Sequence, residues 1–111
     1  MKHIIVSIAL LFCSTVVAVH AEGLNFGVGA AKCANYTAAF SDPDPSAKKL
    51  VVAWVQGFVS ALNIAAGEGH MRQLSDADVL ESKLLLYCKE QPNDLIATAA
   101  MRLYKNLSSL K

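Results

Sequence analysis

The chain has 111 residues, with 10 Lys and Arg against 9 Asp and Glu, and 54% of its residues are hydrophobic. That length holds one small domain, and a charge balance this close to neutral supplies no basic face for nucleic acid or for an anionic membrane surface.

The amino terminus, MKHIIVSIALLFCSTVVAVHA, places Lys2 and His3 before an apolar run from Ile4 to Val19 and ends on the small-residue exit Val19-His20-Ala21. This is the pattern of a secretory signal peptide over residues 1–21, cleaved after Ala21. A permanent anchor is the competing reading, but the run falls short of the ~20 residues that span a bilayer as a helix. A lipoprotein signal through Cys13 is disfavoured by bulky Phe12 beside it. The expected location is therefore periplasmic or secreted, with no membrane anchor left after cleavage. Cleavage removes Lys2 and Cys13, so nine basic residues face nine acidic ones and only Cys33 and Cys88 remain. In an oxidising compartment two such cysteines pair. Closing a loop of that length contributes about 4 kcal/mol in the chain-entropy model.

In chain order, residues 22–31 (EGLNFGVGAA) are glycine-rich and without period, which reads as a flexible lead-in. KCANYTAAF, Lys32 to Phe40, predicts a short helix that stops at SDPDP. Asp44 as a cap with Pro45 in the first helical position opens a long helix from Pro45 to Ala66, closed by Gly67. GEGHMRQ is a loop. Ser75 with Asp78 three residues on predicts the start of a third helix, with Leu74 and Val79 as its hydrophobic staple. Pro92 restarts the chain into a fourth helix ending near Leu107, whose apolar positions Ile96, Ala99, Ala100, Leu103 and Leu107 keep helical spacing. No segment alternates like a strand. The expectation is all-α: one domain over residues 32–111, with one short and three longer helices and one disulfide.

On a wheel of about 100° per residue, Trp54, Phe58 and Leu62 of the second helix fall together with Val51 and Val55, which predicts the core face. Ala53, Gly57 and Ala61 form a smooth stripe beside it, and an interior glycine there suggests a close helix crossing. Gln56, Ser60 and Asn63 fill the remaining sector. They are either the helix's solvated edge or, flanked by Val52 and Val59, a strip that binds a partner.

Chemistry has few candidates. His70 is the single histidine after Ala21: with both cysteines paired, nothing has the spacing of a zinc set, and nothing signals a hydrolase triad through it. Asp76, Asp78 and Glu81 fit the amino-terminal end of a helix dipole. GEGH follows a helix instead of a strand and is no phosphate loop. Neither an enzyme nor a cofactor is expected.

Taken together, KCANYTAAF, WVQGFVSALN, SDADV, YCKEQP and DLIATAAMRL resemble the HdeA/HdeB-like family of small exported proteobacterial proteins over residues 32–107. The resemblance implies an all-helical fold with a disulfide from the early helix to the third. It also implies a periplasmic acid-stress chaperone that loosens at low pH, here by uncovering Trp54, Phe58 and Leu62, to hold unfolding client proteins. The chain departs from that pattern in its modest number of acidic residues and in its Trp-x-x-Gly-Phe element at Trp54 to Phe58. It is also similar to small periplasmic immunity proteins that neutralise toxins delivered by type VI secretion. A non-catalytic envelope protein with another partner is the third reading, and a second copy of the chain is a further candidate partner.

Overall fold

The computed structural model describes residues 27–110. The expected signal peptide (1–21) and the first part of the lead-in lie outside the described residues. Four α-helices, α1 (Cys33–Phe40), α2 (Ser46–Ala66), α3 (Ala77–Glu90) and α4 (Ile96–Lys105), follow a short 3-10 turn over Gly27–Ala30. Among the described residues there is no strand, only two isolated backbone bridges.

Each helix gives one stripe to a shared core. Leu80, Leu84 and Cys88 recur every four residues on α3, Cys33 and Tyr36 face them from α1, and Ile96, Ala99 and Ala100 close the core from α4. The Cys33–Cys88 disulfide, with Cα atoms 4.7 Å apart, ties α1 to α3 as expected. Tyr36 is buried, and its hydroxyl donates to the carbonyl oxygen of Glu81 at 3.3 Å, a second link between the same helices.

The start of α2 follows the local chemistry. The Asp44 carboxylate accepts from the backbone N–H of Ser46 at 3.0 Å and from its hydroxyl at 2.6 Å, with Pro45 between them in a helical conformation. Gly67, at φ 81°, ends the helix where a side chain would be strained. By length and composition α2 could also cross a membrane.

Three boundaries differ from the local signals because tertiary backbone bonds claim those segments. The third helix begins at Ala77, with no side-chain cap, because the stretch before it is held extended. Gln73 N–H donates to Ser108 O, and Leu110 N–H to Met71 O, each at 2.8 Å. Ser75 is not the cap, and Leu80, not Val79, turns inward. The fourth helix begins at Ile96 instead of Pro92, since the carbonyls of Pro92 and Asp94 accept from Ala34 and Cys33 N–H at 2.9 and 2.8 Å. The last part of the glycine-rich lead-in is ordered: Ala31 O accepts from Ile96 N–H at 2.9 Å, and Gly29 is buried against the Trp54 ring.

The orientation of α2 is the main correction. Val52, Val55 and Val59 are its buried residues, while Trp54, Phe58 and Leu62 are half-buried at the side. The centre of the buried face is thus rotated by about 80° from the one predicted on the wheel. Val52, at 6% exposure, belongs to the core and not to a partner-binding flank. Gly57 faces open space: a Cβ built there meets nothing within 4 Å, so no helix crosses at that point. The close approach that glycine permits occurs at Gly29 instead. A Cβ there would collide with the indole of Trp54.

Candidate protein-binding groove

Of the three polar residues on α2, Asn63 is structural. Its amide brackets the Arg72 peptide, with Nδ2 donating to Arg72 O at 3.0 Å and Oδ1 accepting from Arg72 N–H at 2.7 Å. Oδ1 also accepts from the Tyr104 hydroxyl at 3.1 Å. The Arg72 guanidinium then donates to the carbonyls of Lys105 (3.2 Å) and Leu107 (2.7 Å) and lies over the Tyr104 ring. One side chain therefore fastens the end of α2, the following loop and the end of α4 to one another. This explains a polar residue on an otherwise apolar helix, and it commits both lone pairs of Oδ1 and one of the two Nδ2 hydrogens within the chain.

Gln56 and Ser60 lie two turns and one turn earlier, respectively. Gln56 is exposed; the Ser60 hydroxyl donates back to the Gln56 carbonyl at 2.6 Å, an internal bond common for serine in helices. Both line a cavity of about 90 Å³ between α2, α3 and α4. Val59 of α2, Leu80 of α3 and Leu103 of α4 also line it, with Leu74, Tyr104 and Leu107. Val59 is thus part of the predicted strip in a different role: it is a buried wall, not an exposed flank.

Lys83 lines the same cavity, and among the described residues the only ion pair is Lys48–Glu81, at 3.1 Å between α2 and α3. Beyond Leu74, Ser75, Lys83 and Leu107 the cavity opens into a shallow, more polar trough bounded by Asp76 and Asn106. The whole is a short groove, apolar at its enclosed end and polar at its open end. Small-molecule and cofactor sites are typically ~300–1,000 Å³. The enclosed end is instead of the size of one apolar side chain.

Sequence reasoning found the α2 wall of this groove and missed the rest. Leu74, Lys83, Tyr104 and Leu107 reach it from four other segments, and the meeting of Leu74 with Leu107 depends on the loop and carboxy-terminal segments pairing with each other. The available signal was the apolar stripe of α4, which runs on to Leu103 and Leu107 past the point where the core ends. The predicted acid-exposed residues lie elsewhere on α2. The Trp54 and Phe58 rings stack with centroids 5.0 Å apart, and Trp54 is packed against the 3-10 turn at Gly29. Groups of three His, Cys, Asp or Glu placed to hold a metal ion are absent among the described residues.

Fold and groove together define a class: a small, disulfide-braced, all-α domain with a side-chain-sized apolar groove among its described residues. No family model matches the chain, and no curated protein and no solved structure matches it.

Proposed function

We propose that the protein is an exported, non-enzymatic binding module that takes apolar segments of other proteins, in the manner its resemblance to the HdeA/HdeB-like family implies. The observation that carries this reading is the groove itself. Its enclosed end suits one aliphatic or aromatic side chain, and Gln56, Ser60, Ser75 and Lys83 around it offer hydrogen bonds to the backbone of a bound segment.

Acid strengthens the binding in this reading. With the signal peptide removed, protonating the nine carboxylates and His70 takes the side-chain charge from zero to about +10 near pH 2. Repulsion on that scale loosens helix packing, while the Cys33–Cys88 bond keeps α1 on α3. The Lys48–Glu81 ion pair joins α2 to α3, two walls of the groove.

A photo-crosslinking residue at Gln56, with a matched one at exposed Lys89 as control, tests the site against a defined acid-unfolded client. The reading expects adducts from position 56 that strengthen as pH falls from 7 to 3. Equal labelling from both positions contradicts it.

A further inference from the structure

The groove has a cation at its mouth that no carboxylate among the described residues pairs with. Lys83 lines both the enclosed apolar pit and the polar trough beyond it, so its side chain stands where the two meet. Asp76 borders the same trough, yet the two form no ion pair; among the described residues only Lys48 and Glu81 do. Ser75 also lines both parts, and the side-chain amides of Gln73 and Asn106 border the trough. We propose that the groove takes the carboxy-terminal residue of another protein chain, its aliphatic side chain in the pit and its terminal carboxylate on Lys83. The proposal rests on the reading of the groove as a protein-binding site.

Shape points to a chain end. The enclosed part holds about 90 Å³, room for a single side chain, between walls supplied by Val59, Leu80 and Leu103 of three helices. A terminal residue carries its side chain and its carboxylate on the same Cα. One ordered residue therefore fills an apolar pit and meets a cation at its rim. A residue inside a segment brings a carboxylate there only from a neighbouring side chain, whose rotamers must be fixed as well. Anchoring one residue also costs less order than laying a whole strand or helix of the client into place.

Charge points the same way. The Lys83 ammonium, the Ser75 hydroxyl and the two amides are all donors for the oxygens of a carboxylate. Asp76 is the opposing charge, but it borders only the outer trough, whereas Lys83 reaches the pit as well. An anion at the rim of the pit is thus closer to the lysine. Because Lys83 is exposed, the pairing is screened and sets a preference, while burial of the side chain in the pit supplies most of the affinity.

NMR titration of methyl-labelled, disulfide-bonded protein at pH 7 reads occupation of the pit through the Leu80, Leu103 and Leu107 methyl groups. The probe is acetyl-Gly-Ser-Gly-Ser-Leu as the free acid, whose terminal carboxylate, with an ordinary pKa of about 3.5, is ionised at that pH. It should bind about three- to ten-fold more tightly than the same peptide ending in an amide. It should also bind more tightly than a peptide ending Leu-Asp-amide, whose acid is on a side chain. Lys83→Gln should abolish the preference and Lys83→Arg should keep it, both with the wild-type helical spectrum. Equal binding of acid and amide overturns the proposal and leaves the groove standing as a protein-binding site. Equal binding of the Leu-Asp-amide peptide, or a preference that survives Lys83→Gln, overturns it in the same way. If no peptide shifts the pit methyl groups the proposal also falls, and crosslinking from Gln56 then decides the groove's own reading.

Discussion

Asn63 and Arg72 hold each other through a pair of hydrogen bonds, the side-chain amide of Asn63 meeting both the backbone N–H and the backbone carbonyl of Arg72. Tyr104 adds a third bond to the same amide oxygen. A partly buried group that loses its partners costs more than an average hydrogen bond contributes. Asn63→Ala should therefore lower stability by about 2–3 kcal/mol in urea unfolding. Gln56→Ala and Ser60→Ala, which release no long-range bond, should stay within about 0.5 kcal/mol of wild type. Equal effects at all three positions would reduce the clamp to one more exposed edge.

The two glycines in contact with or beside Trp54's helix should respond in opposite directions. Gly57 faces open space in a helix interior, so Gly57→Ala should stabilise the fold by about 0.5–1 kcal/mol. Gly29 is filled by the Trp54 indole, so Gly29→Ala should destabilise by about 1–3 kcal/mol and shift tryptophan emission to the red. Thermal melts followed by fluorescence read both.

That contrast shows what local sequence carries and what it does not. Asp44, Pro45 and Gly67 act through bonds two or three residues away, so the limits of α2 were legible. The facing of α2 was not, because leucine, tryptophan and phenylalanine outweigh valine on a wheel while the space between α3 and α4 admits Val55 and Val59. Asn63 could not be assigned from its position alone: its partners are nine and forty-one residues away. The starts of α3 and α4 differ from the local signals for the same reason. Backbone pairing of residues 71–73 with 108–110, and of 31–34 with 92–96, overrides the caps that Ser75 and Pro92 offer.

The disulfide should account for a large share of stability. It spans 55 positions, and removing it with Cys33→Ser and Cys88→Ser should cost about 4 kcal/mol. Alkylation of the native exported protein should find neither of these cysteines free, and the double variant should unfold at much lower urea.

At high pH the controlling groups are tyrosines. Burial pushes the Tyr36 hydroxyl far above the ordinary phenol range, with the Glu81 charge adding to it, and the hydrogen bond to Asp94 raises Tyr87. A raised folded pKa contributes stability that is fully present below the ordinary value of ~10 and is lost as pH rises through the folded value. The melting temperature should therefore hold to about pH 9 and fall above pH 10, and Tyr36→Phe should flatten that fall. At low pH the sign reverses. Asp44 is held below the usual carboxylate range by the Ser46 hydroxyl and then by the Ser46 N–H. Its contribution is present above the unfolded value of ~4 and disappears as pH falls through the lower folded one. Ser46→Ala should return the Asp44 titration, followed by NMR, towards that ordinary value.

The proposal that this domain holds apolar segments of unfolding proteins in acid is tested most directly by aggregation of a client at pH 2 to 3, with light scattering as the readout. The protein, verified as intact and disulfide-bonded, should suppress aggregation in a dose-dependent way at that pH and much less at pH 7. Leu107→Asp, which puts a polar group on the groove wall, should weaken the protection while the fold is retained at pH 7. Absence of protection at pH 2 to 3 from the verified wild-type protein would contradict the account and leave recognition of one specific partner, such as a toxin, in its place.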